Sequence, residues 1–242
     1  MIKKVPYRWE FSDYLNPDFL AEMDRNSIRT IVELGCHDGV DTLKLQDTFQ
    51  ATVHAFECHP ELMAQARQRC ASRPEIRLVE KAAWDQDGSI PFYPVICTTE
   101  NGKVIDNIGA SSCFPARTDY HRRYEQGRIQ VESMRLDTYW RQQQLSGLDL
   151  LCLDVQGAAL HALRGLGSIL SQVRYIIAEI EHRPIYDGQD LYPEVHHYLE
   201  AHGFRPVVEV IRDDWFSDYL YVGASARKSR PFGKWSWLPF FR

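Results

Sequence analysis

From Thr30 onward, short apolar runs alternate with stretches whose apolar residues recur every three or four positions. That alternation predicts parallel strands joined by crossover helices. Residues 30–34, 52–57 and 76–80 form the first three predicted strands, and Leu148–Leu153, Val173–Ile180, Arg205–Ile211 and Tyr219–Ala224 the later four. Between the second and third, Leu62, Met63, Ala66 and Cys70 share one helical face, with Pro60 where the first turn begins. Leu160, Leu163, Leu166 and Leu170 repeat that spacing after the fourth strand, and Gly203 closes a helix predicted over Glu194–His202. Only the polar link Arg212–Asp218 separates the last two strands, too short for a crossover, so they are expected to be antiparallel.

Residues 84–147 exceed a simple crossover. They predict a strand near Ile90–Val95, a long loop over 97–128, a strand near Ile129–Met134 and a short helix from Leu136. A loop of that length suits a substrate lid. The expected division is therefore an N-terminal extension at 1–29, one α/β domain at 30–224 with the insert at 84–147, and a tail at 225–242.

The chemistry gathers at two strand ends. Thr30-Ile31-Val32-Glu33-Leu34 runs into Gly35-Cys36-His37-Asp38-Gly39, and the next strand ends in Glu57. Glycines let a backbone turn sharply and approach a ligand, and an acid at the second strand tip suits a ribose diol. A dinucleotide fingerprint would need Gly-x-Gly-x-x-Gly, whereas here the spacing is Gly35-x-x-x-Gly39. The carboxylates of Glu33 and Asp38 would repel a pyrophosphate but suit a ligand carrying an ammonium and a sulfonium. The pattern points to S-adenosyl-L-methionine rather than NAD. Cys36, His37 and Cys58 fall at the same turns, and Ala83 and Trp84 follow the third strand, where Trp84 could cover the adenine or simply join the core; Asp85 or Asp87 could bond its amino group.

Composition narrows the partners. The chain has 242 residues with a formal charge of −5, which makes no electrostatic case for nucleic acid. A polar amino terminus and no apolar run of membrane-spanning length suggest a cytoplasmic protein, in which six scattered cysteines without Cys-x-x-Cys spacing are expected as free thiols. From Arg227 to Arg242 the chain carries cations and no acid, interleaved with Phe232, Trp235, Trp237, Phe240 and Phe241. Such a segment suits packing on the protein or a homodimer mate, a peripheral membrane contact, or a partner protein.

With these segments in place the chain resembles the FkbM family of S-adenosylmethionine-dependent methyltransferases over roughly residues 30–223. The resemblance rests on residues 33–39, on Ala55-Phe56-Glu57-Cys58-His59-Pro60, on Lys81-Ala82-Ala83-Trp84 before Asp87-Gly88, on Ser111-Ser112, and on Arg135-Leu136-Asp137. It continues through Leu153-Asp154-Val155-Gln156-Gly157-Ala158, Ala178-Glu179-Ile180-Glu181 and His202-Gly203-Phe204. It implies a class I methyltransferase-like, Rossmann-like fold: a mostly parallel seven-stranded sheet with an antiparallel last strand and helices on both faces. It also implies methylation of hydroxyls on sugars, glycans or related metabolites. Where that family usually has Asp-Val-Glu-Gly-Ala-Glu, this chain has Asp154-Val155-Gln156-Gly157-Ala158-Ala159, so two carboxylates are missing.

Methyl transfer to a hydroxyl needs a positioned acceptor and a proton acceptor. Asp154, Glu179 and His182, at the ends of the fourth and fifth strands, are the catalytic candidates; Ser111, Ser112, Gln156 and Glu181 are the substrate-binding ones. Asp154 could instead cap the Leu160 helix, and His182 could be a solvated loop residue. Asp154, Glu179 and Glu181 could also hold a divalent cation, although none is favoured. An N-methyltransferase on a small molecule, or a cofactor-binding scaffold without catalysis, remains the alternative.

Overall fold

The computed structural model describes residues 2–10 and 14–227. The first strand, β1 (Lys3–Pro6), precedes α1 (Pro17–Glu22), and β2 (Thr30–Leu34), α2 (Val40–Phe49), β3 (Thr52–Phe56), α3 (Pro60–Cys70) and β4 (Ile76–Val79) then alternate as predicted. The insert supplies β5 (Ala82–Ala83), β6 (Gly88–Phe92), β7 (Val95–Glu100), β8 (Lys103–Ile105), β9 (Arg123–Gln126), β10 (Ile129–Met134) and α4 (Leu136–Gln142). The second half contains β11 (Leu150–Leu153), α5 (Ala159–Gly165), β12 (Tyr175–Glu181), α6 (Tyr192–Ala201), β13 (Arg205–Ile211), β14 (Phe216–Val222) and α7 (Ala224–Arg227).

The central sheet has the order β1-β13-β14-β12-β11-β2-β3-β4. All pairings are parallel except those of β14, which runs antiparallel to both β12 and β13. Strands buried on both faces explain the uninterrupted apolar runs. Along β11, Leu151 and Leu153 pack on the side of α4, α5 and α6, while Leu150 and Cys152 pack toward α1, α2 and α3. In this order β2 and β11 are neighbours although the chain leaves β2 toward β3, so the crevice at their C-terminal ends is the topological switch point where ligands bind in such sheets.

Several sequence expectations need correction. The sheet has eight strands rather than seven, because Lys3–Pro6, expected as an extension before the domain, pairs in parallel with β13. The segment 97–128 is not one long loop: β7, β8 and β9 form a small antiparallel sheet. Its first turn is Asn101-Gly102, both residues at positive φ and flanked by the Glu100–Lys103 pair, a two-residue hairpin whose sequence signal was present. The strand placed at Ile90–Val95 is instead two, split around Pro94. The helix through Leu170 stops at Gly165 and continues as a 3-10 turn over Gly167–Gln172, because Gly167 adopts a φ of +51°. The 225–242 tail lies outside the described residues beyond Arg227. Among the described residues no helix is long and apolar enough to cross a membrane.

Candidate active site

At the switch point lies a cleft of about 500 Å³. Its floor is the β2–α2 turn, and the space explains the turn's glycines. Gly35 sits at φ +82°, and a Cβ there would lie 1.8 Å from the backbone oxygen of Asp154 at the end of β11. Gly39, also at +82°, passes against Ala66 of α3. Any side chain at Gly35 would drive the two central strand tips apart.

The carboxylates line this turn in distinct states. Glu33 is buried and accepts a 2.5 Å hydrogen bond from the Thr42 hydroxyl, while its Oε1 has no hydrogen-bond partner. Burial pushes its pKa up to about 8, so it is neutral at pH 7. Glu57 ends β3 with both oxygens engaged: Oε2 accepts from the His37 backbone N–H at 3.0 Å and Oε1 from that of His59 at 2.7 Å. Burial raises its pKa and those two bonds oppose the rise. The Cys58 backbone N–H also opposes the rise. His37 itself is held at φ +53°, and its ring Nδ1 lies 3.5 Å from Asp38 Oδ1, while Asp38 Oδ2 pairs with Arg69 at 2.7 Å.

Of the predicted cofactor residues, Glu33, Gly35, Cys36, His37, Asp38, Gly39, Glu57, Cys58 and Ala83 line the cleft. Trp84 does not. It follows the end of β5, and its ring stacks on His161 at 3.9 Å between centroids. Asp85 pairs with His161 at 2.9 Å, and Asp87 accepts from Arg135 N and Thr138 Oγ1 at the start of α4. Neither lines the cleft.

The acceptor side is organised around Gln156. Asp154 and Gln156 line the cleft, as does Ser111, whose hydroxyl donates to the Ile108 carbonyl at 2.6 Å. The Gln156 amide nitrogen donates to Asp154 Oδ1 at 2.6 Å and to Glu179 Oε1 at 2.9 Å. Its Oε1 lies 2.8 Å from the Tyr186 hydroxyl, which also lies 2.9 Å from the Ala110 carbonyl. Ser112 is buried and donates to the Gln156 carbonyl at 2.6 Å, so it ties the insert to the strand tip instead of facing ligand. Asp154 is not a helix cap: α5 begins after Ala158 without a side-chain cap.

Glu179 and Glu181 stand behind the cleft and do not line it. Burial, with the Asp154 charge adding to it, pushes Glu179 well above the usual carboxylate range. Glu181 is buried, receives the Gly157 backbone N–H, and rises to about 8. His182 is a plain displacement from its expected role. It lines a separate cavity of about 440 Å³ with Lys4, Tyr192, His196, Glu209 and Tyr219, and its Nε2 lies 3.2 Å from both Ser217 Oγ and the Tyr219 hydroxyl. The register explains this: β14 lies beside β12 and carries that environment on the side away from β11.

Sequence reasoning missed Tyr14, Lys44, Lys81, Phe92, Ile108, Gly109 and Cys113 as lining residues, and Tyr186 as the partner of Gln156. Ile108 and Gly109 sit beside the singled-out Ser111, so a signal existed; Tyr14 and Tyr186 reach the site only through the fold. All six cysteines are free thiols, and among the described residues no group of three or more His, Cys, Asp or Glu is placed to hold a metal.

The residues fit S-adenosylmethionine. The unpartnered Glu33 oxygen suits its ammonium, the Cβ-free Gly35 lets the backbone approach, and Glu57 is oriented for a ribose.

Three comparisons bear on this cleft. The profile described as Methyltransferase FkbM domain matches residues 33–206, more than half of the chain. The 2-O-methyltransferase NoeI of Sinorhizobium fredii (strain NBRC 101917 / NGR234) is 31% identical over 163 residues, spanning 66% of this chain and 66% of that protein, slightly under two thirds of its length. Among solved structures, the Methanococcus jannaschii fibrillarin pre-rRNA processing protein superposes with a TM-score of 0.51 at 16% identity, covering 83% of this chain and 69% of that one. Aeropyrum pernix fibrillarin, solved with natively bound S-adenosyl-L-methionine, gives 0.51 at 15% identity with the same coverage. At such identities the likeness is one of fold alone.

Proposed function

Because the chain belongs to the FkbM methyltransferase family, and is therefore an S-adenosylmethionine-dependent methyltransferase of the class I fold, we propose that it methylates a hydroxyl of a sugar, a glycan or a related metabolite. The observation that carries this reading is the Asp154 carboxylate, which ends β11 inside the cleft beside the Gly35 turn. A carboxylate is the acceptor-side group a hydroxyl needs, since its proton must leave as the oxygen attacks. The similarity to a protein named as a 2-O-methyltransferase supports an oxygen acceptor.

In this reading the cofactor, when bound, supplies an electrophilic methyl group on a sulfonium. Glu57 holds the ribose hydroxyls, and Glu33 and Asp38 neighbour the amino-acid end. Asp154 orients the acceptor hydroxyl and takes its proton, while Ser111 and the rest of the insert cover the site as a lid and exclude water.

Methyl transfer to a panel of monosaccharides and oligosaccharides, followed as S-adenosylhomocysteine release, tests the proposal. Asp154→Asn should lower turnover by about 10²-fold or more and leave cofactor affinity within a few-fold of wild type. Unaltered turnover with an acceptor would remove Asp154 from the reaction, and methylation of amines alone would overturn the hydroxyl assignment.

A further inference from the structure

Gln156 occupies an unusual place for a neutral residue. One nitrogen atom sits 2.6 Å from Asp154 Oδ1 and 2.9 Å from Glu179 Oε1, so carboxylates from two neighbouring strands converge on a single point. The amide nitrogen faces the two carboxylates, and Oε1 faces the Tyr186 hydroxyl, whose single proton is shared between it and the Ala110 carbonyl. The backbone is committed to this arrangement. Gln156 lies at φ +47°, Gly157 follows at +87°, the Gln156 carbonyl receives Ser112, and Glu181 receives Gly157 N–H.

Two convergent carboxylates normally demand positive charge between them, as a cation or a proton. An amide meets the geometric part of that demand with two N–H donors, one toward each carboxylate, and adds no charge. Asp154 is the member of the pair that lines the cleft, and the amide holds its Oδ1.

We propose that Gln156 is a positioning residue that stands where a cation would otherwise sit: its amide nitrogen fills the point at which Asp154 and Glu179 converge, keeps a divalent ion out, and aims Asp154 at the acceptor. The native protein thus moves the acceptor proton to a carboxylate held by an amide, with no ion at these strand tips. A third carboxylate at position 156 would complete an oxygen cage suited to a hard divalent ion. The inference rests on the reading of Asp154 as the base, but its test requires neither acceptor nor cofactor, so the two can fail separately.

The test is titration of the full chain with Mn²⁺, with bound ion read by electron paramagnetic resonance and melting followed in Mn²⁺ and in EDTA. The wild type should take up no ion that Asp154→Asn removes. Gln156→Glu should bind Mn²⁺ at least roughly tenfold more tightly than wild type, lose that binding in the Asp154→Asn background, and melt higher with Mn²⁺ than with EDTA. A Gln156→Glu chain that folds only when Mn²⁺ is present supports the proposal equally. Ion uptake by the wild type that depends on Asp154 would overturn it. So would a folded Gln156→Glu chain without gained affinity, or one that stays unfolded even with the ion.

Discussion

Glu33 shows how a single residue couples burial to ligand chemistry. With its pKa pushed to about 8 by burial, it is protonated at pH 7 in the free protein. An ammonium brought against its unpartnered Oε1 favours the charged form, so the proton should leave. Calorimetric titration with S-adenosylmethionine at pH 7 is therefore expected to show proton release, seen as different heats in phosphate and Tris, and Glu33→Gln should abolish that difference. Identical heats in both buffers for the wild type would place the ammonium elsewhere. The same group predicts a stability trend. A folded pKa raised above the unfolded one means its contribution is fully present below about pH 4.5 and lost as pH rises through about 8. Wild-type melting temperature should fall across that window more steeply than that of Glu33→Gln.

Other residues show where reading by position runs out. Glu33, Gly35, Gly39 and Glu57 all line the cleft, and their places at strand tips and in a tight turn were legible because such positions take a narrow set of residue types. For Trp84 the sequence left adenine and core both open, and only the fold shows the indole past the end of β5, packed on His161.

At the scale of elements, α5 is the informative case. Four leucines at helical spacing predict a helix running through Leu170, yet it ends at Gly165. A Cβ on Gly165 would lie 2.2 Å from the Trp84 backbone oxygen, so the glycine lets α5 approach the segment after β5. Helix propensity alone predicts that Gly165→Ala would stabilise by about 1 kcal/mol. The backbone contact predicts the reverse, a loss of about 1–3 kcal/mol, measurable by denaturant unfolding. A more stable Gly165→Ala protein would show that α5 can shift at no cost. Packing overrode periodicity here, whereas in the Asn101-Gly102 hairpin the local signal prevailed and the strands followed from turn chemistry.

At the scale of the molecule, the sheet order separates two cavities that the linear sequence places near one another. Asp154 and His182 both end central strands, and convergence of strand tips suggested one crevice for both. Insertion of β14 beside β12 gives His182 its own surroundings of Ser217, Tyr219 and Tyr192. His182→Ala is accordingly expected to leave S-adenosylmethionine affinity within about twofold of wild type, tested by the same calorimetry; a tenfold loss would tie the second cavity to the first.

What the sequence determined by itself is what short-range physics dictates. Buried strands must be apolar throughout, crossover helices must present one apolar face, and a close backbone approach requires glycine at Gly35. These requirements act over a few residues and leave a readable pattern. Only the tertiary structure decided which tips share a crevice, that Lys3–Pro6 joins the sheet, that Tyr14 reaches the cleft, and that Gln156 lies between Asp154 and Glu179 under Tyr186. Those are contacts between residues tens of positions apart, set by strand order and register, and no local pattern of residues records them.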